Sequence, residues 1–124
     1  MKTQKTDNTT ATKEFAIDAA KLLADTRCNN VVVLDARGLS TVTDFMILAT
    51  GTSPRQMQSA CDEVAEMAEP RGYRALSRNG DSGQWTCLDL VDIVIHVFSA
   101  DARAYYDLDN LWGDARRVSW SKSA

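Results

Sequence analysis

Apolar residues along the chain recur with two periods. Phe15, Ala19, Leu22 and Leu23 fall at i, i+4, i+7 and i+8, one face of a helix. That helix is expected over residues 13–26, with Thr12 as its cap and Cys28-Asn29-Asn30 at its end. Val31 to Leu34 is a β-branched run, a strand signal. Phe45 to Ala49 is a second apolar run, closed by Thr50-Gly51-Thr52. Ser53 before Pro54 starts the next helix: a hydroxyl at the cap, and proline where its missing N–H costs nothing. Met57, Ala60, Cys61, Val64 and Ala68 form its apolar stripe, which predicts a helix to about Pro70. Residues 71–84 are mostly loop, with room for a short strand at 74–76. Two further strands are expected over 85–88 and 93–98 and a short helix over 101–107, followed by an apolar strip over 108–112. Helices and strands alternate, so the expected class is α/β, with a mixed β-sheet and flanking helices.

Within residues 91–98, side chains alternate between two faces. Val91, Ile93, Ile95 and Val97 share an apolar face that belongs on the core. Asp92, Val94, His96 and Phe98 share the other. Asp92 and His96 stand roughly 13 Å apart along a strand, too far for a catalytic dyad. His96, the single histidine of the chain, is expected to be a hydrogen-bonded structural residue.

The chain has 124 residues, room for one domain. Apolar residues make up 44% and charged residues 25%, which excludes a wholly disordered or collagen-like chain. No apolar run reaches the roughly 20 residues of a membrane span. Residues 1–12 are polar, without the apolar core of a secretory signal, and are expected to form a disordered tail. The domain is expected over 13–115, with a second tail over 116–124. Cys28, Cys61 and Cys87 lie far apart without a Cys-x-x-Cys pair, so they are expected to be reduced core thiols of a cytoplasmic protein. Net charge is −3, unevenly placed: zero through residue 80, −6 over 81–114 and +3 over 115–124. The acidic stretch also carries Trp85, Phe98, Tyr105, Tyr106 and Trp112. An acidic surface bearing rings suits a basic protein partner and repels phosphate backbones.

Signals for chemistry are sparse. The chain lacks a phosphate loop, a Gly-x-Gly-x-x-Gly turn, a His-Glu-x-x-His pair and a Gly-x-Ser-x-Gly elbow. Asp89 and Asp92, with the turn Gly51-Thr52-Ser53, faintly suggest a metal-dependent nucleotidyltransferase. No basic cluster accompanies them to hold a triphosphate. No catalytic residue, metal ligand or cofactor is assigned from the sequence.

Longer motifs are more specific. Leu34-Asp35-Ala36-Arg37-Gly38-Leu39-Ser40 is followed by Asp44 through Ser53 with Arg55-Gln56. Then come Trp85-Thr86-Cys87-Leu88-Asp89, Ile93 through Phe98, and Arg103-Ala104-Tyr105-Tyr106-Asp107-Leu108-Asp109-Asn110-Leu111-Trp112. Together and in this order they resemble the ribosomal silencing factor (Iojap) family. The resemblance implies a nucleotidyltransferase-like domain without catalytic residues. It further implies binding to the large ribosomal subunit through the fourteenth protein of its intersubunit face, a block on subunit joining, repression of translation, and a homodimer when free. Neither a membrane nor sequence-specific nucleic acid is an expected partner. Expected contact residues are Trp85, Asp89, Asp92, His96, Tyr105, Tyr106, Asp109 and Trp112, the rings as anchors and the carboxylates as partners for Lys or Arg. A homodimeric scaffold with another partner is the remaining alternative. Val91 stands where the family usually has Gly, Phe45 where it commonly has Tyr, and Asn79-Gly80 where it usually has Glu-Gly. Because valine disfavours positive φ, the corner before the His96 strand is expected to depart from a glycine turn.

Overall fold

A computed structural model describes residues 2–41, 43–75, 77–81 and 84–120. The elements in chain order are α1 (Lys2–Asp25), β1 (Asn29–Asp35), β2 (Phe45–Thr50), α2 (Pro54–Ala68), β3 (Ser77–Asp81), β4 (Trp85–Asp89), β5 (Ile93–Phe98), α3 (Ala100–Tyr106), α4 (Leu108–Leu111) and β6 (Arg116–Val118), with a 3-10 turn at Glu69–Arg71. The strands form one six-stranded sheet in the order β3-β4-β5-β2-β1-β6. The β2–β5 pair is parallel and its neighbours are antiparallel, so the sheet is mixed.

Helices α1 and α2 cover one sheet face. Phe15, Ala16, Ala19, Ala20 and Leu23 meet Met57, Ala60, Cys61, Val64 and Ala68 over Val33, Ile47, Ile95 and Val97. All six residues of β2 are buried, as befits a strand covered on both sides. Ser53 caps α2 by accepting the Gln56 amide at 3.1 Å. Helix α1 ends in a Schellman turn: the Cys28 amide reaches the Leu23 carbonyl at 3.0 Å and the Arg27 amide the Ala24 carbonyl at 3.1 Å. Arg27 takes the left-handed position there, with φ 78°.

Three boundaries differ from the expectation. The helix begins at Lys2, so most of the segment expected to be a disordered tail is helical. Thr12 is an interior residue of α1; its hydroxyl shares a 3.1 Å hydrogen bond with the Tyr73 hydroxyl instead of capping. Once the packed half of a helix is nucleated, each further turn is cheap, even through a threonine-rich stretch. At the other end, the expected tail contains β6, which pairs Arg116 with Asp35 and Val118 with Val33. Beyond it, the Trp120 indole N–H donates to the Val31 carbonyl at 2.9 Å. The loop strand is β3, three residues later than expected; residue 76 lies outside the described residues.

The corner between β4 and β5 also overturns its expectation. Val91 is 44% exposed, outside the strand, and holds φ 72°. The glycine-type turn is thus kept by a valine. The Asp89 carboxylate accepts the Val91 amide at 2.8 Å, and the Leu90 amide reaches the Ile93 carbonyl at 2.9 Å. These bonds hold a conformation that a β-branched residue rarely adopts.

Candidate partner-binding face

Among the described residues, the second sheet face is covered over only part of its width. Over β1 and β2, Leu34, Met46 and Leu48 pack with Phe98, Ala102, Leu108, Trp112 and Ala115 into a smaller core. Over β4 and β5 the outward positions are Trp85 and Cys87, then Val94, His96 and Phe98. Trp85, Cys87 and Val94 there remain half-buried.

A chain of rings crosses this region. Trp85 lies 5.1 Å from Phe98 and 4.7 Å from Tyr106, centroid to centroid, and Tyr105 meets Tyr106 edge-on at 5.1 Å. Exposure rises along the chain: Phe98 is buried, Tyr106 is 39% exposed and Tyr105 is 82% exposed. Ser99 sets up this end of the row. It caps α3 by accepting the Ala102 amide at 3.1 Å, and its hydroxyl donates to the Gln84 side-chain carbonyl at 2.6 Å.

The Trp85 indole N–H donates to Nδ1 of His96 at 3.1 Å. That bond needs a lone pair on Nδ1, so the imidazole is neutral with its proton on Nε2. Burial agrees, lowering the His96 pKa to about 4 against a smaller opposing pull from Asp89. His96 is therefore a structural acceptor that orients Trp85, in keeping with its sequence reading.

The other expected contact residues separate. Trp112 is half-buried and packs on the smaller core. One Asp89 oxygen closes the Val91 corner. The Asp92 carbonyl accepts the amides of Asp44 and Phe45, at the far end of β5 from the rings. Asp109 receives a two-pronged bond from Arg103, at 3.1 and 2.8 Å, which holds its carboxyl below the usual range. Burial pushes the Cys87 thiol up to about 11 and also raises Cys28, so both behave as packing groups. The sequence reading did not single out Asp101, Asp107 and Leu111, which are exposed on α3 and α4 and at the junction between them. The helical period around Tyr105 carried that signal for Asp101 alone, since the corner at Asp107 breaks the period before Leu111.

Few groups converge on a cofactor. A groove of about 640 Å³ is lined by Asn30, Thr50, Arg103, Asp109 and Arg117, but Asp109 already neutralises Arg103 there. Among the described residues, no cluster of three or more His, Cys, Asp or Glu side chains is placed to hold a metal ion.

Residues 9–124 match the family model described as ribosomal silencing factor during starvation. The chain belongs to the ribosomal silencing factor family. It is 38% identical over 98 residues to the Bacillus subtilis ribosomal silencing factor RsfS, a match spanning 78% of this chain and 83% of that one. The chloroplastic Iojap protein of Arabidopsis thaliana is 28% identical over 116 residues, 94% of this chain and 49% of that longer one. A solved Chromobacterium violaceum protein superposes with a TM-score of 0.76 at 31% identity, covering 88% of this chain and 91% of that one. The ribosomal silencing factor fold thus accounts for the mixed sheet. The family is named for regulation; in this chain the ring-bearing face is built from β4, β5 and α3.

Proposed function

We propose that this protein binds the large ribosomal subunit at its intersubunit face and prevents the small subunit from joining, thereby repressing translation in the cytoplasm. The observation that carries the reading is the graded row from buried Phe98 to exposed Tyr105, on a sheet face where Trp85, Cys87 and Val94 remain half-buried. Rings presented by a rigid sheet and helix bury area at little entropic cost. Asp101 and Asp107 flank the row and are exposed. Their charge favours a basic docking protein, such as the fourteenth protein of the large subunit, and disfavours direct contact with RNA phosphates. Trp85, Tyr105 and Tyr106 form the docking face, His96 orients Trp85 within it, and Trp112 and Asp109 support it from α4 and its C-terminal end, whereas Asp89 and Asp92 stand at the other end of β4 and β5 and would meet only the edge of a partner. The free protein is proposed to be a homodimer.

Obstruction needs no bond chemistry, so the protein acts as a plug and not as an enzyme. The nucleotidyltransferase reading has less support: Asp89 is tied to the Val91 corner, and Asp92 lies beyond the strand end. Cosedimentation with isolated large subunits tests the proposal. Stoichiometric comigration, weakened by Tyr106→Ala, is expected; absence of comigration at micromolar protein contradicts it.

A further inference from the structure

Between Tyr106 on the docking face and Trp112, which supports it, the chain turns sharply at Asp107, which takes φ 52° without being glycine. Arg103 meets this corner from both sides. Its carbonyl accepts the Asp107 amide at 2.9 Å, closing α3. Its guanidinium holds Asp109 in α4, through Nε at 3.1 Å and a terminal nitrogen at 2.8 Å. The other terminal nitrogen donates to the Asn30 carbonyl at 2.6 Å and to the Thr50 hydroxyl at 3.0 Å. One side chain thereby ties α3 and α4 to the ends of β1 and β2. The Arg103 side chain is 13% exposed and that of Asp109 29%, so the bridge is partly shielded from solvent, unlike a fully exposed ion pair. The planar fork suits these directions, whereas a lysine ammonium would not reproduce the two-pronged bond.

We infer that Arg103 and Asp109 are positioning residues: their bridge sets the Asp107 corner and so holds Tyr106 and Trp112 in the arrangement that docks on the large subunit. This rests on the docking reading above. It departs from a role for Asp109 as a direct charge partner, because that carboxylate already faces its own arginine.

The test uses the full chain, with Arg103→Lys, Asp109→Asn and the double variant. Hydrogen exchange of the amides over residues 100–112 is measured first, without ribosomes. Both single variants are expected to speed exchange there while the amides of β2 and β5 stay protected. Unchanged exchange over 100–112 overturns the inference, whatever the ribosome result. Affinity for isolated large subunits is then measured across salt concentrations. Each single variant is expected to bind about ten-fold more weakly, as a face that must be ordered on docking does. The double variant is expected to be no worse than either single one, with the salt slope unchanged. If Asp109→Asn flattens the salt slope and Arg103→Lys does not, Asp109 touches the partner directly and the inference fails. Absence of binding by the unsubstituted chain defeats the docking reading alone, and the exchange result still judges the bridge.

Discussion

Val91 and His96 show how single residues carry more than their type suggests. Val91 holds φ 72° at an exposed corner. A non-glycine residue in such a region costs on the order of 1–3 kcal/mol. Glycine removes that strain but loses up to about 1 kcal/mol to the entropy of the unfolded chain. Val91→Gly is therefore expected to stabilise the protein by about 1 kcal/mol and raise Tm by several degrees in calorimetry. A lowered Tm would mean that the valine side chain supplies packing that outweighs the strain. For His96 the folded pKa is about 4 and the ordinary value 6.5. Between these values the unfolded chain binds the extra proton. Stability is fully present above pH 6.5 and is lost as pH falls toward 4, by on the order of 2–3 kcal/mol. The imidazole should stay neutral at pH 6 by NMR. His96→Gln, which keeps an acceptor for Trp85, should flatten the Tm profile across that window; an unaltered slope would place the titration elsewhere.

Elements whose pattern is local were legible in the sequence. The α2 stripe, the Ser53 cap and the inward face of β5 follow from helical and strand periods and appear where those periods put them. Elements that depend on distant partners were not. Strand β6 is three residues without a period of its own, created by pairing with β1. The early start of α1 draws on packing further along the helix. At the candidate site, the rings and the acidic stretch were visible as composition, but composition cannot tell which carboxylates are already occupied. The Asp109–Arg103 bridge spans six residues with an intervening corner, so neither period exposes it. The β2–α2 junction offers a check on element packing. Gly51 donates its amide to the Phe98 carbonyl at 2.7 Å, and a Cβ added there would lie 2.1 Å from Met57 Cγ. Gly51→Ala is expected to destabilise the fold by about 1–3 kcal/mol in denaturant titration. No loss would show that Met57 can move aside freely.

At the scale of the molecule, the two sheet faces divide the labour. One is sealed by α1 and α2 and supplies most of the buried apolar area. Among the described residues, the other is sealed over β1 and β2 but only partly covered over β4 and β5, where the ring row emerges. A rigid sheet behind such a row lets a chain of 124 residues present the proposed anchors without ordering a loop first. The proposed action by obstruction needs affinity and placement alone. The most direct measurement is sedimentation of mixed large and small subunits with saturating protein. Fewer joined particles are expected with the unsubstituted chain, and near-normal joining with Tyr106→Ala at the same concentration. Undiminished joining in the presence of the folded, unsubstituted protein would contradict the account.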